Sequence, residues 1–198
     1  MRDAMGVGFD GYTHRQQWSI ADTDIDDWPY EPMAAHAFLH RDGDVGFIIP
    51  IGEKRYRAVS NTEDALARIP GNYQITRVLR TDRFHIPVKQ ATRYQTACAF
   101  MGGDAAHVHS PLGARGMNLG IEDAASFARR FVEGTLAGYT SERHPIGRRW
   151  ITLSERILSM AQSDNGIMQS FRNAAFSVVG HLPRLQRPLL ERVAGLKE

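Results

Sequence analysis

The residues with most chemistry to offer lie in one segment, Gly102-Gly103-Asp104-Ala105-Ala106-His107-Val108-His109-Ser110-Pro111-Leu112-Gly113-Ala114-Arg115-Gly116-Met117-Asn118-Leu119-Gly120-Ile121-Glu122-Asp123-Ala124. An apolar run, Ala97–Met101, precedes it and reads as a strand buried on both faces. Such a strand delivers Asp104 at its carboxyl end, where open α/β sheets bind ligands. An ionised carboxylate there can accept hydrogen bonds from ligand hydroxyls. Pro111 and Gly113 shape the following loop, and Gly116 and Gly120 allow main chain to approach a ligand closely. A helix is expected to start near Met117-Asn118, so its unpaired N–H groups and dipole would face an anionic group in the crevice. A glycine-rich turn that serves packing alone fits the same spacing equally well.

Other candidates carry less. Gly6-Val7-Gly8-Phe9-Asp10-Gly11 has the spacing of a dinucleotide-binding turn. That turn needs a strand before it and a helix after it, and here five residues precede and a polar, Trp-containing strand follows. His107 and His109 stand just after Asp104, but no further carboxylate or histidine lies at a spacing that completes a ligand set. A structural or loop role is expected for both, and no metal. No Gly-x-Ser-x-Gly elbow is present to suggest a hydrolase.

The elements that must position this segment can be read from periodicity and turn residues. Gln17–Ala21, Ala37–His40, Val45–Pro50 and Lys54–Ser60 read as strands, the last with Tyr56 and Ala58 on one face. Asp42-Gly43 between two of them is a hairpin signal, because both residues tolerate positive φ. Asn61–Asp64 resembles a helix cap and Pro70-Gly71 a stop, so a short helix is expected between them. Tyr73–Pro87 returns to strand. Beyond the glycine-rich segment a helix would place Ile121, Ala124, Ala125, Ala128, Phe131 and Val132 on one side. Two longer helices are expected at roughly 139–162 and 165–180, followed by a tail punctuated by Pro183 and Pro188.

Composition bounds the function. The 198 residues carry 24 basic and 22 acidic side chains, so no charge excess argues for nucleic acid. The chain is acidic up to residue 64 and basic beyond it. A hydrophobic content of 42% suits a packed core. One cysteine, Cys98, excludes an internal disulfide and a Cys-based zinc cluster. No apolar run approaches the roughly 20 residues of a membrane span, and a cytoplasmic location is expected.

The glycine-rich segment resembles the second FAD-binding motif of the class A flavoprotein monooxygenases, the para-hydroxybenzoate hydroxylase-like aromatic hydroxylases. Their pattern runs Gly-Asp-Ala-Ala-His, a Pro and Gly loop, Gly-(Met/Leu)-Asn, then an Asp-Ala helix. The matching residues are Gly103–His107, Pro111-Leu112-Gly113, Gly116-Met117-Asn118 and Asp123-Ala124. Tyr139–Pro145 is similar to the family's Ser-Tyr-x-x-Glu-Arg-x-Pro helix, and Gly6–Asp22 looks like the sheet that covers the substrate. The chain departs from the pattern at Thr96-Ala97-Cys98, where Gly-Arg is usual, and in a short connection at Phe131–Leu136.

The resemblance implies an α/β (α+β) fold. An antiparallel substrate-binding-type sheet would span residues 1–95, the second part of an FAD-binding domain 96–135, and C-terminal helices 136–198. It implies that Asp104 holds the ribityl chain of FAD, with Gly103 also at the cofactor and Pro111 and Gly113 beside the flavin ring and substrate. With Gly116 also at the cofactor, the main-chain N–H groups of Met117 and Asn118 would meet the pyrimidine end of the ring, where reduced flavin is negative and a helix N-terminus is favourable. NADH or NADPH would supply electrons and molecular oxygen would hydroxylate an electron-rich, aromatic small molecule; no catalytic side chain is assigned. Family members open with a βαβ unit and an Asp-Gly segment not found here, and Met1-Arg2 matches the Val-Arg that follows them. The expectation is therefore a C-terminal portion of such an enzyme. The alternative is a non-catalytic remnant, or a subunit needing a separate N-terminal FAD-binding chain; the uncovered apolar surface also leads to an expectation of self-association.

Overall fold

The computed structural model describes residues 2–112 and 115–181. Contacts divide the chain into two compact units: residues 14–86 with 160–170, and the remainder.

In the first unit, strands β1 (Phe9–Asp26), β2 (His36–Leu39), β3 (Val45–Gly52), β4 (Arg55–Ser60) and β5 (Gln74–Ala91) are hydrogen-bonded in the order β2-β3-β4-β1-β5. Pairing is antiparallel, with Phe47 opposite Val59 and Ala21 opposite Ala58. The alternation of β1 fixes its register. Ala21, Thr23 and Ile25 face inward, the two apolar ones joining Ile48, Tyr56, Ala58 and Ile69 in the core. Asp22 and Asp24 face outward and pair with Arg57 and Arg55 across the ladder, each at 2.7 Å. A one-residue slip would bury those carboxylates, so the pattern specifies the pairing.

The hairpin expected at Asp42-Gly43 joins β2 to β3. Gly43 adopts φ +85°, the His40 N–H donates to the Asp44 carbonyl at 2.9 Å, and the Asp44 N–H reaches the Asp42 carboxylate. Tyr56 and Ala58 are buried on one face, as read from the sequence. The helix expected between Asn61 and Gly71 does not form; these residues make turns. The capping side chains are used elsewhere. Asn61 accepts the Val45 N–H at 2.7 Å and donates to the Gly43 carbonyl, and Asp64 accepts the Leu66 N–H at 2.9 Å. Such side-chain-to-backbone bonds compete with helix.

In the second unit, the end of β5 pairs with the short strand β6 (His107–Val108), Gln90 lying opposite His107. Three helices follow: α1 (Gly116–Glu133), α2 (Tyr139–Ala161) and α3 (Gly166–His181), the last shared between the units. Their bounds agree with those read from periodicity. Pro183 and Pro188 lie outside the described residues. Val7, Ala91, Tyr94, Met101, Ala106 and Tyr139 form the core. The Tyr139 hydroxyl donates to the Met101 carbonyl at 3.0 Å, and Gln95 accepts the Thr140 N–H at the start of α2.

Two expectations fail in this unit. Ala97–Met101 is not a buried strand. The chain turns back on itself, with a single bridge between Gln95 and Phe100, Thr96 N–H bonded to Ala99 O, and Ala97 and Cys98 exposed. Only Met101 of that run is buried, because no second strand among the described residues lies beside it. The apolar side of α1 is also not the packed side. Ile121, Ala124, Ala125, Ala128, Phe131 and Val132 are all exposed, and Leu119, Asp123 and Ser126 are buried instead. The buried side is polar because its partners are charged: Ser126 donates to Glu142, and Asp123 meets Arg143, both on α2.

The architecture is thus a mixed α/β fold, an antiparallel sheet followed by C-terminal helices. No helix among the described residues is long and apolar enough to cross a membrane.

Candidate functional site

Gly103 begins a single 3-10 turn, Gly103–Ala105, that closes with the Ala106 N–H donating to the Gly103 carbonyl at 2.8 Å. Its φ of +55° lies in the left-handed region, where a side chain would be strained. The turn rests on the second turn of α1: a Cβ built at Gly120 would stand 3.3 Å from the Gly103 Cα. Two glycines therefore bring the Asp104 turn and α1 into main-chain contact. Asp104 itself is exposed, and no described residue donates to its carboxylate. Beside the turn is a cavity of about 370 Å³ bordered by Met101, Gly102, Gly103, Gly120, Ala124 and Tyr139.

The start of α1 is open. Its first helical hydrogen bond runs from the Leu119 N–H to the Arg115 carbonyl, no side chain caps it, and its first turn holds no acid. Gly116, Met117 and Asn118 thus present the N–H groups that precede that bond. Met117 is 77% exposed, and a Cβ at Gly116 would meet nothing within 4 Å. Pro111 is exposed just ahead of this segment; Gly113 lies outside the described residues.

Behind the turn is a buried charge network that the sequence did not disclose. Asp123, 1% exposed, accepts the Gly103 N–H at 2.9 Å, His107 Nε2 at 2.7 Å and Arg143 Nε at 2.7 Å. Glu122 bridges the Arg115 and Arg143 guanidiniums at 2.6 and 3.3 Å, and Arg115 lies over the Trp150 ring. Burial alone would raise the Asp123 pKa, but the bonds from His107, Gly103 and Arg143 outweigh it and hold it below the usual carboxylate value. Asp123 is therefore ionised at neutral pH, and His107 Nε2 carries the hydrogen. His107 and Asp123 are sixteen residues apart on different elements, so no local spacing marks them as partners.

His109 donates Nδ1–H to the Ser110 carbonyl at 2.8 Å, and burial lowers its pKa. Among the described residues, no three His, Cys, Asp or Glu side chains stand together to hold a metal ion.

The arrangement suits a flavin nucleotide. A glycine cradle, a free carboxylate and an uncapped helix N-terminus offer close main-chain approach, an acceptor for ribityl hydroxyls and donors for a negative ring edge.

Comparison with known proteins points to FAD at the level of the domain. Residues 62–154 match the family model described as an FAD binding domain. The chain is 30% identical over 122 residues to a rifampicin monooxygenase of Streptomyces venezuelae, a match covering 58% of this chain and 25% of that protein. It is 24% identical over 174 residues to pentachlorophenol 4-monooxygenase of Sphingobium chlorophenolicum, covering 75% of this chain and 32% of that one. Among solved structures, p-nitrophenol 4-monooxygenase of Pseudomonas putida superposes with a TM-score of 0.83 at 17% identity, covering 98% of this chain and 56% of that chain. The chain spans about a quarter to a third of the length of these two curated relatives. Over residues 62–154 the chain is thus similar to an FAD binding domain, its sequence relatives are named as monooxygenases, and it shares the fold of an aromatic hydroxylase.

Proposed function

We propose that this chain supplies the ribityl- and ring-binding portion of an FAD-dependent monooxygenase that hydroxylates an aromatic or similarly electron-rich small molecule in the cytoplasm. The observation that carries the reading is the Gly103–Asp104 turn, seated on Gly120 beside the uncapped start of α1. Asp104 accepts ribityl hydroxyls, and Gly103 lets the nucleotide approach the main chain. The N–H groups of Met117 and Asn118, with Gly116, face the pyrimidine edge of the ring, and Pro111 lines its substrate side. Bound FAD would supply the redox chemistry, taking electrons from NADH or NADPH and passing them to oxygen. The protein's part is to hold the ring, orient the substrate and exclude water.

Flavin-fluorescence quenching by the purified chain tests this reading. Asp104→Ala is expected to weaken FAD binding about 10- to 150-fold, since hydrogen bonds to a charged group contribute about 1.5–3 kcal/mol. Unchanged affinity in Asp104→Ala refutes the assignment.

The exposed apolar side of α1 favours a second reading, a subunit that associates through Ile121, Phe131 and Val132 with a second copy of itself. Phe131→Glu should then lower the sedimenting mass. A wild-type chain that is monomeric at all concentrations refutes association.

A further inference from the structure

Asp123 holds a position that simple helix packing does not require. An ion pair between α1 and α2 would be complete with Arg143 alone, since both side chains are buried and meet at 2.7 Å. The carboxylate is instead divided among three donors from three places: Arg143 of α2, His107 of β6, and the main-chain N–H of Gly103. That third donor belongs to the residue directly before Asp104. The approach is close: a Cβ at Gly102 would stand 2.9 Å from the Asp123 Cβ. Asp123 is itself held, because Arg143 is fixed further by Glu122 at 3.3 Å and by the Leu119 carbonyl at 3.5 Å. Two acids, Glu122 and Asp123, face two arginines, Arg115 and Arg143, so the cluster is balanced and Asp104 takes no part in it.

We propose that Asp123, steadied by His107 and Arg143, is a positioning residue: it fixes the Gly103 amide and through it aims Asp104 at the cofactor. The proposal rests on the reading that Asp104 receives the ribityl chain of FAD. Its mechanism is geometric. With the Gly103 N–H tied to a buried carboxylate, the left-handed turn has one orientation before any ligand arrives, and binding does not have to order it. Asn in place of Asp123 keeps the shape but turns an amide N–H₂ toward a set of donors, so at least one of the three bonds is lost.

A double-mutant cycle on the full chain, read by FAD fluorescence, separates positioning from general structural support. Asp123→Asn alone should raise the Kd for FAD tenfold or more. In the Asp104→Ala background the same change should raise it less than about threefold, because the carboxylate being aimed is gone. Losses that multiply in the double variant overturn the proposal. A second readout needs no FAD: the Gly103 amide should exchange slowly with solvent in the wild type and at least tenfold faster in Asp123→Ala, which leaves that amide no side-chain acceptor, with the amides of Phe127 and Ala128 unchanged. Gly103 protection retained in Asp123→Ala also overturns it. If Asp123→Asn does not fold, His107→Gln takes its place with the same two readouts. A wild-type chain that binds no FAD refutes the parent reading, while the Gly103 exchange still decides whether the network holds the turn.

Discussion

Gly147 sits in the middle of α2, where alanine is the better helix former by about 1 kcal/mol. On local grounds Gly147→Ala would stabilise the protein. The packing argues the opposite. A Cβ at Gly147 would collide with the hydroxyl of Tyr94 and stand 3.1 Å from Gln90 Nε2 and 3.3 Å from His107 Cδ2. Tyr94 is fully buried, and its hydroxyl accepts from Gln90 at 2.8 Å, so it has no free direction in which to retreat. Overpacking of this kind costs about 1–3 kcal/mol, and the displaced Gln90 bond about 0.5–1.5 kcal/mol. Set against the helical gain, the expected net loss is about 1–3 kcal/mol, a fall in Tm of roughly 2–10 °C for a chain of this size. Thermal unfolding followed by circular dichroism measures it. Removing the obstructing hydroxyl in Tyr94→Phe should cut the cost of Gly147→Ala by at least half. A Gly147→Ala variant as stable as the wild type would mean that helix propensity outweighs the contact with Tyr94.

Asn61→Ala removes a buried donor and acceptor pair that binds Val45 and Gly43, and should lower stability in urea by about 1–3 kcal/mol. A loss of a few tenths would mean these bonds are not formed. Acid should destabilise the fold through Asp123 and Glu142. Burial would raise the Glu142 pKa, but bonds from Ser126, Arg130 and Arg129 hold it at about 2, against 4.5 for a free side chain. A depressed carboxylate contributes stability above its unfolded pKa, so this contribution is present at neutral pH and fades as pH falls from about 4.5 towards 2. Asp123, also depressed, acts in the same direction. Urea midpoints at pH 7, 5 and 3 check this, and Glu142→Gln should flatten the decline.

What was legible in the sequence divides along physical lines. A strand at Gln17–Ala21, the Asp42-Gly43 turn and a helix start near Met117 each follow from a few adjacent residues, and the structure forms all three. Asn61 and Asp64 look like caps, but a capping side chain binds whatever amide is nearest, and for Asn61 that is Val45, on another strand. Ala97–Met101 has the composition of an inner strand, yet strand formation needs a neighbour, which composition does not supply. For α1, periodicity located an apolar side without revealing whether it is covered. The covered side was hidden because Asp123 and Ser126 read as surface residues; only partners on other elements, His107, Arg143 and Glu142, make their burial favourable. The candidate site was legible as a motif, whereas the network that fixes it depends on those distant pairings.

If FAD lies against the Asp104 turn and the start of α1, amide chemical shifts of the isotopically labelled chain during FAD titration will register it there. Saturable shifts are expected at Gly103, Asp104, Gly116, Met117 and Asn118, with their loss in Asp104→Ala. Saturable shifts confined to β2, β3 and β4, with the Asp104 turn and the start of α1 unmoved, would contradict it.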